Sequence, residues 1–195
     1  VRPVRLERGR TALGPVLQTA VSMAESKAQR GDIAVELVVP DDLPPIQGDE
    51  HQLCQVFTNL VINAFEALAG AGRVRITAAT GIAEGGQTSD VPVPVPTVVI
   101  QVVDDGPGIP PEYHELIFRK FEQVKTPNVP RVRSSGLGLA FCKLAVEAHG
   151  GQITVESVMD EGSTFSFTIP LMADVAIPSS IEGSGVRVKS PLILD

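Results

Sequence analysis

Residues Asp49–Leu68 read DEHQLCQVFTNLVINAFEAL, and this stretch sets the frame for the rest of the chain. Asp49 is a good helix cap, and Gln52 three residues on completes a capping-box pattern. Leu53, Val56, Phe57, Leu60, Val61, Ala64, Ala67 and Leu68 then recur at helical spacing and predict a wide buried stripe. Asn59, Asn63 and Glu66, spaced four and three apart, are expected on one exposed line opposite it. Asn disfavours helix interiors, so two Asn one turn apart call for a reason. Their carbonyl oxygens suit a hard cation such as Mg2+; the plain alternative is an ordinary solvated face.

Outward from this helix the periodicity changes. Residues 11–29 read as a helix and 34–39 as a strand, broken by the Pro-Asp-Asp-Leu-Pro-Pro run from Pro40. Residues 73–80 and 97–103 read as strands, with the Gly- and Pro-rich stretch 81–96 as an extended hairpin connection. A short helix is expected at 115–119, a polar Pro-containing segment at 122–135, and a helix at 137–148 ended by Gly150-Gly151. Strands at 153–158 and 163–169 form a closing hairpin. This order predicts helices on one face of a mixed sheet. Residues 1–32 are read as a lead-in that joins the domain, 33–172 as the core, and 173–195 as a linker or tail. Within that tail, Ser190-Pro-Leu-Ile-Leu-Asp is compatible with the first strand of a receiver domain or with an ordinary chain end.

Composition narrows the function classes. A net charge of -7 argues against a binder of nucleic-acid phosphates. Mean hydropathy of +0.17 with no Trp implies an aliphatic core. Cys54 and Cys142 cannot make a zinc site, and a reduced thiol pair fits a cytoplasmic location. No apolar run approaches a transmembrane span, so no direct membrane contact is expected, and no signal peptide is read. The chain reads as an excised fragment.

Two further stretches carry chemistry. Asp104-Asp105-Gly106-Pro107-Gly108-Ile109 follows an apolar strand: a carboxylate there can accept from an exocyclic amine, and glycines admit a flat base. A strand-to-turn exit has the same composition. Ser134-Ser135-Gly136-Leu137-Gly138-Leu139 leads into a helix whose N-terminal amides and dipole favour an anion. It lacks the Gly-Lys of a Walker loop, and Phe141 stands where a dinucleotide fingerprint needs its third Gly.

In order and spacing these segments resemble the histidine kinase, gyrase, Hsp90 and MutL ATPase superfamily. Asn59–Asn63 is similar to its asparagine box, Asp104–Gly108 to the first glycine box, and Ile117-Phe118-Arg119-Lys120-Phe121 to the phenylalanine box. Ser135–Leu139 and Glu161-Gly162-Ser163-Thr164-Phe165 are similar to the second and third glycine boxes. The resemblance spans about residues 43–170. It implies a Bergerat fold, an α/β (α+β) two-layer sandwich with a mixed, mostly antiparallel sheet of about five strands. It also implies ATP and Mg2+ as ligands. Asn63 would be the principal magnesium ligand with Asn59 assisting, and Asp104 would bind the adenine amine, helped by Thr164 or a water. Gly106, Gly108 and Ile109 would form the adenine-side turn. Ser135 and the amides of Gly136, Leu137, Gly138 and Leu139 would wrap the phosphates. Phe121 and Gln123 would flank the site, with Lys125, Arg131 and Arg133 supplied by a lid at about 122–135.

Two departures stand out: Ser134 replaces a usual glycine, and Glu66 replaces a usual cation. The hydrolytic relatives carry a Glu where this chain has Asn59, a poor general base. That favours transfer to a protein acceptor, in which positioning and charge neutralisation dominate. His51, His114 and His149 have no acceptor-like context, and His149 reads as a favourable contact with a helix dipole. The acceptor is expected on a separate dimerisation domain of the same kinase, with a response regulator receiver domain next in line. A Ser/Thr kinase of the anti-sigma type and a nucleotide-binding scaffold are the alternative classes.

Overall fold

The computed structural model describes residues 6–27, 31–85, 93–121, 136–171 and 187–188. The segment expected to form the lid, and with it Gln123, Lys125, Arg131, Arg133, Ser134 and Ser135, lies outside them, as does Ser190–Asp195.

Strand β1 (Gly9–Thr11) leads into helix α1 (Leu13–Lys27), followed by β2 (Asp32–Val38), β3 (Ile46–Gly48) and α2 (Glu50–Leu68). Strands β4 (Ala71–Gly85) and β5 (Val93–Asp104) come next, then α3 (Gly138–Ala148), β6 (Gln152–Val158), β7 (Gly162–Pro170) and a two-residue β8 (Arg187–Val188). The main sheet runs β2-β4-β5-β7-β6, with β8 also beside β4. β2 and β8 pair parallel with β4; the other ladders are antiparallel. β1 pairs separately with β3. The mixed, mostly antiparallel sheet of the expected sandwich is present.

Alternation fixes which face is core. On β4 and β5, Val74, Ile76, Val98, Ile100 and Val102 point inward with Phe165, Phe167 and Ile169 of β7. The α2 stripe packs on that face, and Phe57 meets Phe167 with ring centroids 5.1 Å apart. Leu13, Val16, Leu17 and Ala20 of α1 join the same core.

Three expectations change. Residues 81–85 and 93–96 of the expected hairpin connection belong to the strands themselves, with β4 and β5 paired as far as Gly85 with Val93. The short helix at 115–119 is two 3-10 turns, Pro111–Tyr113 and Leu116–Phe118, anchored by buried Ile117 and by Phe118 edge-on to Phe165. The capping box is only half formed. The Gln52 amide N–H donates to Asp49 Oδ1 at 3.0 Å, but the Asp49 N–H donates to His149 Nε2 at 2.9 Å.

Because Phe57 is 1 % exposed and central to both layers, Phe57→Ala is expected to cost about 3–5 kcal/mol, read by urea denaturation.

Candidate nucleotide-binding site

Helix α2 is the spine of the site. Asn59 and Asn63 are half-buried rather than exposed, because α3 and the β5 exit loop close against this face. Gln55 Nε2 donates to Asn59 Oδ1 at 2.8 Å, and a Cβ on Gly138 would lie 3.8 Å from the Asn59 amide carbon. Two turns further on, a Cβ on Gly106 would lie 3.6 Å from Ala67. Asn63 stands between these contacts, and its Nδ2 is buried with no hydrogen-bond partner among the described residues. Polar groups are rarely buried so. At a rise of 1.5 Å per residue, positions 59 to 67 span about 12 Å along one row. The start of α3 lies at one end of that row and the β5 exit at the other.

At the β5 end, Asp104 is 4 % exposed and faces the helices. Its Oδ1 accepts the Gly106 N–H at 3.0 Å. Burial drives its carboxyl above the usual range, and the amides of Gly106 and Ser163 offset only part of that. Asp105 has the opposite environment. It is exposed, and the Arg73 amide, at 2.6 Å, together with the Arg73 guanidinium, at 3.2 Å, holds its carboxyl below the usual range.

Backbone crowding shapes the turn around Asp104. Gly108 has φ +75°, and a Cβ there would overlap the Val158 carbonyl. Gly162, at φ +107°, would likewise strike the Asp104 carbonyl. The turn is also stapled to the β6–β7 hairpin. The Asp160 N–H donates to the Pro107 C=O at 2.9 Å, and the Ile109 N–H donates to Ser157 Oγ at 2.8 Å. Ser157 Oγ in turn donates to the Gly162 C=O at 2.8 Å and lies 3.0 Å from Ser163 Oγ.

This register corrects the assignment of Thr164. Asp104 pairs directly with Ser163, and Val103 with Thr164. Side chains alternate along a strand, so Thr164 lies on the sheet face away from Asp104. Buried Ser163 is the hydroxyl beside the carboxylate. The sequence reading missed Ser163 and Ser157; the former occupies the first position after the hairpin glycine, but only the strand register separates it from its neighbour.

At the other end, the Phe121 N–H donates to the Gly136 C=O at 3.0 Å. Phe121 has φ +67° and is 74 % exposed, so its ring does not join the site. Gly136 is at φ +64°. Leu137 precedes α3 with no side-chain cap, so first-turn amides from Gly138 and Leu139 face outward without a partner from a capping side chain. Glu66 turns to a cavity it lines with Lys27, Gly31, Ile62, Phe65 and Ala69, beside the end of α1. Burial raises its carboxyl pKa there. Cys142 sits beneath α2, donates to the Val56 C=O at 3.6 Å and has its thiol pushed up to about 12 by burial. Both cysteines are free.

The family described as histidine kinase-, DNA gyrase B-, and HSP90-like ATPase matches residues 48–173. This chain belongs to that family. It is 34 % identical over 160 residues, covering 82 % of the chain, to the adaptive-response sensory kinase SasA of Prochlorococcus marinus subsp. pastoris. The chain spans only 39 % of that relative's length. Among solved structures, full-length ShkA in complex with AMPPNP aligns with TM-score 0.68 and 28 % identity, over 90 % of this chain and 34 % of that one. Histidine kinase ThkA in complex with the response regulator TrrA aligns with TM-score 0.62 and 27 % identity, over 86 % and 42 %.

Membership in this ATPase family implies ATP as the nucleotide, and the residues present fit it. The Asn63 amide nitrogen, without a partner among the described residues, and the incompletely compensated Asp104 carboxyl are polar groups left over for a ligand. Among the described residues no trio of His, Cys, Asp or Glu could hold a metal ion.

Asp104 gives a stability prediction with a definite sign. A carboxyl raised above its unfolded value favours the fold when protonated and loses that contribution as pH rises through the folded value. Asp104→Asn should therefore leave the nucleotide-free domain at least as stable as wild type at pH 7. That difference should shrink as pH falls through the raised folded value and be gone below about 4, the ordinary Asp value. Thermal melts at the two pH values check it.

Proposed function

We propose that this domain binds ATP with Mg2+ and transfers the γ-phosphoryl group to a histidine on a separate dimerisation domain of the same kinase. It would act within a two-component system, facing the cytoplasm. The observation that carries the proposal is the α2 row: Asn59 against Gly138, Asn63 with an amide nitrogen unpartnered among the described residues, and Ala67 against Gly106 beside Asp104. A triphosphate laid along that row meets an amide-rich helix start at one end and a buried acceptor at the other.

In this reading Asp104 Oδ atoms accept from the adenine amine, with Ser163 beside them and Gly106 keeping a side chain away from Oδ1. The N-terminal amides of α3 take the phosphates, aided by the helix dipole. Half a rotation of the Asn63 amide exchanges its oxygen and nitrogen, so Asn63, with Asn59, would hold the magnesium ion. Bound magnesium supplies charge neutralisation on the phosphates. Asn59 has no basic group to activate water, which supports transfer over hydrolysis. A response regulator receiver domain is the proposed downstream partner, by analogy with the ThkA–TrrA complex.

Calorimetric titration with a non-hydrolysable ATP analogue tests the site. Asn63→Ala should weaken binding about ten-fold in Mg2+ and little in its absence. Asp104→Ala should lose the preference for adenine over guanine nucleotides. Wild-type affinity and selectivity in both variants would remove the assignment. Transfer itself is tested by supplying a histidine-bearing dimerisation domain with labelled ATP and looking for acid-labile label on it.

A further inference from the structure

His149 is buried, 5 % exposed, at the C-terminal end of α3, and the proposed chemistry does not use it. Both ring nitrogens are engaged. Nδ1 is 2.7 Å from the Ala145 carbonyl, and Nε2 is 2.9 Å from the Asp49 amide nitrogen. A carbonyl can only accept and an amide N–H can only donate, so Nδ1 carries the proton and Nε2 is bare. The ring is neutral in this arrangement, which replaces the dipole contact expected of a charged histidine. Gly48 lies against the ring: a Cβ there would reach His149 Cδ2 at 3.4 Å, though it would crowd Leu53 first.

Asp49 makes the junction three-way. One carboxylate oxygen accepts the Gln52 N–H of α2, and the other accepts the Glu7 N–H at 2.9 Å. Arg8 Nη2 donates to the Ala148 C=O at 2.7 Å, and Thr11 Oγ1 to the Gly48 C=O at 3.0 Å. Burial works to raise the Asp49 carboxyl, but the amides of Glu7, Gln52 and His51, with His149 close by, together outweigh it and the group ends below the usual range. The chain leading into the domain, the start of α2 and the end of α3 are thus bonded at one point.

The α2–α3 pair is antiparallel. Along the pair, Cys142 of α3 donates to the Val56 C=O, and at the far end Asn59 stands against Gly138, about 15 Å along α2 from Asp49 at the helical rise. Rigid helices pinned at one end fix their spacing at the other. We propose that His149 is a positioning residue: its bond to Asp49 sets the gap between the Asn59–Asn63 row and the α3 amides, and ties that gap to segment Glu7–Thr11. The proposal rests on the nucleotide reading above for its functional readout, but not for its structural one.

Two substitutions of the 195-residue chain separate the ring's two bonds. His149→Gln can place an amide oxygen near the Nε2 position and keep an acceptor for the Asp49 N–H. His149→Asn can keep only the donor to Ala145. Both are compared with Val21→Ala, a core truncation on α1 away from the junction, at a temperature where circular dichroism shows every variant folded. His149→Asn should weaken binding of a non-hydrolysable ATP analogue about five-fold, and speed amide exchange at Asp49 and across Glu7–Thr11. His149→Gln should restore both toward wild type, and Val21→Ala should change neither. Equal behaviour of the Asn and Gln variants, or wild-type exchange in both, overturns the proposal. If wild type itself binds no nucleotide, the nucleotide reading falls, and the exchange contrast alone decides the role of His149.

Discussion

A carboxylate held almost out of water is the constraint around which one end of this domain is organised. Asp104 loses solvation that an ionised group can recover only from protein dipoles. The amides of Gly106 and Ser163 supply part of it, and they reach the carboxylate because the chain turns back tightly at Gly106–Gly108 and the β7 strand starts at Gly162. Those turns bring backbone against backbone, at Gly108 with Val158 and at Gly162 with Asp104. A side chain would not fit at either place. The glycines of two boxes far apart in sequence thus answer one demand: amides must come close to a buried charge. The compensation is incomplete, as the raised carboxyl shows, and an unsated acceptor is suited to an incoming amine.

Helix α2 connects that end to the other. Its apolar stripe locks onto the sheet through Leu53, Phe57, Leu60 and Val61, so its opposite row has a fixed direction. The row cannot be uniformly polar, because α3 and the β5 exit close on it. Hence its residues differ in what they meet: Asn59 touches α3, the Asn63 amide nitrogen has no partner among the described residues, and Ala67 admits Gly106. A small residue at 67 matters as much as the amides, since a larger one would push the turn bearing Asp104 away from the helix.

Much of this was legible in the sequence, and what was not shares a cause. The cap at Asp49 and the 3.6-residue period of α2 are local signals, and the helix follows them to Leu68. Pro94 and Pro96 disguised the length of β5, because proline lacks the N–H that a ladder uses. Yet Pro96 can still accept, and its carbonyl takes the Leu171 N–H at 2.8 Å. Ser163 was passed over for Thr164 because adjacent hydroxyls look alike until a partner strand assigns each a face. The exposed line expected of Asn59, Asn63 and Glu66 is correct as a helical row but not as a solvent surface, since only packing of distant segments buries it. Tertiary contact, not local propensity, decides each of these.

His149 shows the same limit most sharply. Placed after the last turn of a helix and before Gly150-Gly151, it has the local signature of a cation answering a dipole. What fixes its state is an amide a hundred residues earlier, which needs a bare nitrogen. That amide is free to donate outward because Gln52, read as its capping partner, instead turns its side chain to the Asp49 carboxylate at 3.3 Å. The two local rules fail together for one reason. Each treats a helix end as satisfied within its own helix, whereas here the N-terminus of α2 and the C-terminus of α3 satisfy one another. An isolated helix could not do this, so the exchange of partners between α2 and α3 makes their relative placement part of what caps them.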